Sequence, residues 1–136
     1  MSVPDVRRAL LDTSALIDFP ASAVAEEADE VAVSAVTIAE LQYGVTAATD
    51  LIEQMRRRRL VQTVLGQFEV LPFDVAAAEY YGVLATLVRD QGRSPRPRRL
   101  DLQIAATAAC HGLTLLTRNG GDFTGLESAL TVIDLP

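Results

Sequence analysis

Leu10-Leu11-Asp12-Thr13-Ser14-Ala15-Leu16-Ile17 changes character at its third residue, and the fold follows from that change. Residues 9–11 are an unbroken apolar run, as in a short strand buried on both faces. Asp12 ends the strand, and Thr13-Ser14 opens an apolar helical turn that runs to Phe19. The alternation continues outward. Residues 31–36 read as a second strand feeding a helix over about 37–47, with Ile38, Leu41 and Val45 at helical spacing. Asp50 is placed to cap a helix reaching about residue 68. Glu69-Val70-Leu71 is a strand stopped by Pro72, and Asp74 caps a helix to about residue 89. That helix is expected to turn Ala77, Tyr80, Tyr81, Leu84, Leu87 and Val88 inward. Residues 92–99 hold Pro95 and Pro97 among four arginines and read as an irregular basic loop. An Ala-rich helix over 100–111 stops at Gly112, residues 113–117 form a strand, 119–122 a turn, and 131–134 a last strand.

Strands alternating with helices predict a three-layer α/β/α sandwich around a mostly parallel sheet of about five short strands. With no repeat, linker or composition break, residues 1–136 are expected to form a single domain. The composition, 49% hydrophobic and 22% charged, is that of a globular chain.

All 12 basic residues are arginine, which removes chemistry that needs a lysine: a P-loop clamp, a Schiff base, a receiver-type switch. Cys110 has no internal disulfide partner, and His111 alone cannot anchor zinc. Asp5 and Asp12 flank the short apolar run near the N-terminus, so no secretory core is expected there. No stretch reaches the roughly 18 apolar residues of a membrane span. A cytoplasmic protein is expected. The net charge of −6 is unusual for a nucleic-acid binder, but its distribution is uneven. Glu26, Glu27, Asp29 and Glu30 are clustered, whereas arginines concentrate at 56–59 and 93–99.

Right-handed crossovers bring the C-terminal ends of parallel strands to one edge. Four acids fall there. Asp12 ends the first strand, Glu40 lies in the first turn after the second, Asp101 opens the Ala-rich helix, and Asp122 follows the strand ending at Thr117. Each also has a structural role open to it. Asp12 can cap the following helix, Glu40 suits the helix dipole, and Asp122 suits a Gly-Gly turn. Asp101 is the hardest to explain structurally, because it shares a face with Ile104, Ala105 and Ala108, where a carboxylate is costly. Acids that meet on one edge repel one another unless a cation joins them. Hard oxygen donors select Mg2+, with Mn2+ as a substitute, over zinc. Such an ion polarises a phosphoryl oxygen and supplies hydroxide at neutral pH, which is phosphodiester hydrolysis.

Four segments in order, around Asp12, around Thr37-Ile38-Ala39-Glu40, around Leu100-Asp101-Leu102-Gln103 and around Arg118-Asn119-Gly120-Gly121-Asp122, resemble the PIN-domain ribonucleases. The similarity is greatest to the VapC toxins of type II toxin–antitoxin pairs. It implies a PIN-like sandwich, Mg2+-dependent endoribonuclease activity on RNA, and a cognate VapB-type antitoxin. Asp12, Glu40, Asp101 and Asp122 would then be the catalytic, metal-binding set, supported by Thr13, Ser14 and Asn119. Some relatives carry an acid where Asn119 stands.

Arg93, Arg96, Arg98 and Arg99 lie just before Asp101 and are expected to steer RNA phosphates. Arg56, Arg57, Arg58 and Arg59 are open to three roles: RNA contact, antitoxin contact, or a solvated helix turn. Four consecutive positions sweep about 300° of a helix, so this part of the helix is expected to protrude. Its apolar neighbours, with the resemblance, point to a homodimer. The three tyrosines are expected in the core or at a dimer contact. The alternative to the enzyme is a catalytically silent PIN-like module that binds a protein partner.

Overall fold

The computed structural model describes residues 6–136; Asp5 lies outside them. Five strands, β1 (Arg8–Leu11), β2 (Glu30–Ser34), β3 (Glu69–Leu71), β4 (Thr114–Thr117) and β5 (Val132–Asp134), form one sheet in the order β3-β2-β1-β4-β5. Every pairing is parallel. The helices are α1 (Ala21–Glu27), α2 (Ala35–Ala47), α3 (Leu51–Gln67), α4 (Val75–Asp90) and α5 (Arg99–Cys110). The α/β expectation holds, and the sheet is wholly parallel.

Side chains alternate across the sheet with the strand period of two. Leu10, Ala32 and Leu115 face one layer with Leu84 and Val88 of α4 and Leu102, Ile104, Ala105 and Ala108 of α5. Ala9, Leu11, Val33 and Leu116 face the other, with Val24 of α1 and Val64 of α3. Both faces of the central strands are therefore dry, which explains why residues 9–11 read as an unbroken apolar run.

Capping explains most helix starts. Asp50 Oδ2 accepts from Glu53 N, and Asp74 Oδ1 accepts from Ala77 N, both at 3.0 Å. Ser34 Oγ accepts from Val36 N at 3.1 Å, so α2 begins at Ala35 and the second strand stops two residues sooner than its apolar run indicates. The helix α1 has no sequence counterpart: only Val24 of its seven residues is buried, too little for a period to show. Within the basic loop, Arg96–Arg98 form a 3₁₀ turn leading into α5. At the far end of α5, Gly112 takes φ +65°, and Leu113 N donates to Ala108 O, the closing bond of a Schellman stop.

The expectation that Tyr80 turns inward needs correcting. Tyr81 packs against the core, but Tyr80 and Tyr43 are exposed. At about 100° per residue Tyr80 lies about 60° from the mean direction of Ala77, Leu84 and Val88, on the rim of the buried stripe, where it stays 40% exposed. The arginine run is also less uniform than a protruding turn. Arg57 reaches back to Gly44 O at 2.7 Å, and Arg56 and Arg57 both pair with Glu53, whereas Arg58 and Arg59 are exposed.

Candidate active site

The sheet order sends the chain from β1 outward through β2 and β3, then back across to β4. This makes a switch point at the C-terminal end of β1, the usual crevice of open α/β sheets. Asp12 follows β1 there, and its backbone N–H donates to Leu116 O of β4 at 2.9 Å. Its carboxylate makes no cap bond to the following 3₁₀ turn, so capping does not explain it. The residue is only 4% exposed. Two hydroxyls compensate the burial: Ser14 Oγ and Thr117 Oγ1 each donate to Asp12 Oδ2 at 2.8 Å. Those hydroxyls are aimed by backbone, since Arg118 N donates to Ser14 Oγ at 3.1 Å and Asn119 N to Thr117 Oγ1 at 3.0 Å.

Glu40 is held one helical turn into α2. Thr13 Oγ1 donates to Glu40 Oε1 and also lies 3.0 Å from the buried Thr37 Oγ1. Burial pushes the Glu40 carboxyl above its usual value, and the charges of Asp101 and Asp12 add to the rise, while the Thr13 bond opposes it. Asp101, in the first turn of α5, is likewise raised, first by burial and then by Asp12 and Asp122; Arg98 acts the other way. The helix itself is tied to β2 by the buried Ser34 and Thr107 hydroxyls, 3.1 Å apart. Four acids from four separate elements thus feel one another, although long stretches of chain separate them.

The basic loop divides its arginines. Arg98 Nη1 stands 2.9 Å from Asp122 Oδ1 and 3.7 Å from Asp101 Oδ2, a positive charge between two of the acids. Arg96 and Arg99 line a cleft of about 430 Å3 with Glu40, Leu100 and Asp101. Arg93 is committed elsewhere, donating to Thr124 O at 2.7 Å and Gln91 Oε1 at 2.9 Å. Asn119 takes part through its backbone N–H.

Thr117 and Thr37 were not singled out by the sequence. Each is a polar residue in an otherwise apolar stretch at the sheet edge that carries the acids, which is the signal that finds them.

The donor set tests the fit to a cation. All the acids offer hard oxygens, and the guanidinium between Asp101 and Asp122 shows that positive charge is accommodated there. Among the described residues no group of three or more His, Cys, Asp or Glu side chains is placed to hold a metal ion. The carboxylate oxygens are nonetheless of the hard kind that Mg2+ takes, one or two directly with water completing its shell.

The PIN domain family matches residues 9–126. The chain belongs to the PIN-domain family, within its VapC group. It is 36% identical over 126 residues to ribonuclease VapC5 of Mycobacterium tuberculosis, covering 90% of each chain. It is 33% identical over 105 residues to toxin FitB of Neisseria gonorrhoeae, covering 75% of this chain and 74% of that one. Among solved structures, the VapBC-5 toxin–antitoxin complex from M. tuberculosis aligns with a TM-score of 0.79 at 34% identity, over 93% of this PIN domain and 96% of that chain. FitAcB from N. gonorrhoeae aligns at 0.74 and 30%, over 93% and 96%.

Proposed function

We propose that this PIN domain is a divalent-metal-dependent endoribonuclease, the toxin of a VapBC-type toxin–antitoxin pair. The observation that carries this is the meeting of Asp12, Glu40, Asp101 and Asp122 at the switch point of a parallel sheet, with burial and mutual repulsion raising two of them. Asp12 and Asp101 would hold Mg2+ most directly, with Glu40 orienting water and Asp122 completing the outer set. A bound divalent ion supplies electrophilic activation of the phosphodiester and a water of lowered pKa.

This chain's own residues do the positioning. Ser14 and Thr117 spend their protons on one oxygen of Asp12, leaving Oδ1 without a bond to either hydroxyl. Thr13 fixes the Glu40 carboxylate in the same way. Arg96 and Arg99, on the cleft wall, offer donors to RNA phosphates.

A second surface supports the antitoxin. Leu16, Ile17, Leu41 and Leu60 line a hollow of about 540 Å3 rimmed by Glu53, Arg56 and Arg57. Apolar floor and charged rim suit an amphipathic peptide segment.

Product ends test the reaction. Attack by water leaves 5′-phosphate and 3′-hydroxyl ends, whereas attack by the 2′-hydroxyl leaves a 2′,3′-cyclic phosphate. Recovery of the cyclic product from the purified protein, absent from its Asp101→Asn variant, overturns the water mechanism.

A further inference from the structure

Tyr43 is 74% exposed and stands three residues after Glu40 on α2. Residues three apart on a helix are neighbours on one face. With Val36, Ala39 and Leu100 these two side chains line a shallow hollow of about 270 Å3. Leu100, itself 43% exposed, immediately precedes Asp101. The cleft that holds Arg96, Arg99 and Asp101 shares both Glu40 and Leu100 with this hollow. The two hollows therefore adjoin, with Tyr43 on one side of the shared Glu40 and Leu100 and two guanidiniums on the other.

An aromatic face and an apolar floor, then a carboxylate edge, then arginines: that order matches a base followed by its phosphates. We propose that the hollow is a nucleobase subsite, in which Tyr43 stacks an unpaired base of single-stranded RNA beside the phosphodiester held at the acids. The proposal rests on the nuclease reading and adds to it how the strand is seated. Stacking needs no hydrogen-bonding pocket, because every base has a π-face, and none of the four apolar residues here could supply a side-chain acceptor except the Tyr43 hydroxyl. A second copy of the chain is the poorer occupant. Stable protein interfaces use about 20–30 residues a side, and this hollow offers five, one of them the charged Glu40.

The test is binding, read by stopped-flow fluorescence before turnover, of a short single-stranded RNA carrying 2-aminopurine to the full chain in Mg2+, unaltered or as Tyr43→Phe or Tyr43→Ala. Tyr43→Phe is expected to keep affinity and the quenching of the fluorescent base. Tyr43→Ala is expected to weaken binding about ten-fold and to lose the quenching, with melting temperature and solution mass unchanged. The salt dependence of binding should stay the same, since stacking neutralises no phosphate. Tyr43→Ala that binds and quenches like its parent overturns the subsite. A change of solution mass in Tyr43→Ala also overturns it and gives the surface to a second copy. Cleavage by the otherwise unaltered protein separates the two claims. If RNA is cut yet Tyr43→Ala changes nothing, only the subsite falls; if purified protein neither binds nor cuts RNA, both fall.

Discussion

Asp12 is a nearly buried carboxylate whose Oδ2 accepts hydrogen bonds from the Ser14 and Thr117 hydroxyls. Thr117→Val removes one of those bonds and strands the Asn119 N–H that Thr117 accepts. Loss of an outer partner of this kind costs about 10–100-fold in metal affinity or activity. Calorimetric Mg2+ titration of Thr117→Val should show that loss, and an affinity equal to wild type would remove Thr117 from the site. Glu40 and Asp101 give a pH dependence. Their carboxyls are raised in the fold, so between the ordinary carboxylate range and the raised one the folded chain binds more protons than the unfolded chain. Stability then falls as pH rises through that window. Thermal melts in EDTA, taken upward from the ordinary carboxylate range, should give the higher midpoint at the lower pH. Asp101→Asn should flatten the slope, and a midpoint that instead rises with pH would contradict carboxyls raised by burial and by their neighbours.

The elements that carry the site depend on quiet fastenings. Gly125 sits at φ +93°, and an added Cβ would meet the Gln91 amide at 1.8 Å. Gln91 Nε2 donates to Gly125 O, and Arg93 donates to Thr124 O, so this turn anchors the start of the basic loop. Gly125→Ala is expected to destabilise the chain by more than about 1 kcal/mol and to loosen residues 91–93. Hydrogen exchange across the loop checks this, and unchanged protection there would show that the anchor lies elsewhere. The same elements show what a sequence carries. Asp50 and Asp74 announce their helices because a cap is a local bond between near neighbours. Ser34 and α1 do not. Ser34 sits inside an apolar run that continues past it, and α1 buries a single side chain. The division of labour among Arg93, Arg96 and Arg98 was hidden for a different reason: their partners at 122–124 and the Glu40 cleft are set by tertiary folding.

Across the whole molecule, the order β3-β2-β1-β4-β5 does the work that no local spacing can, bringing together acids carried on separate elements. Asp12 was legible because a carboxylate closing an apolar strand stands out, and Asp101 because a carboxylate sharing a helix face with Ile104, Ala105 and Ala108 does. Thr117, which donates to Asp12, and Thr37, which meets the Thr13 hydroxyl, stand out less, since a threonine suits a strand or helix edge without any site. With a net charge of −6, a divalent ion held at these acids would also act beyond the chemistry, by offsetting negative charge where RNA phosphates would approach. Ion binding to the folded chain alone also stabilises it, by about 2.7 kcal/mol at a hundred times the dissociation constant. Saturating Mg2+ should therefore raise the melting temperature of the wild type and leave that of Asp101→Asn unmoved; an equal rise in both would place the ion away from these acids.

The most direct measurement is cleavage of single-stranded RNA by identically purified wild type, Asp12→Ala and Asp101→Asn, with Mg2+ and with EDTA. A four-acid metal site predicts cleavage by the wild type in Mg2+ only, and a loss of at least about a hundred-fold in both variants. Cleavage that persists equally in the variants, or in EDTA, would contradict it.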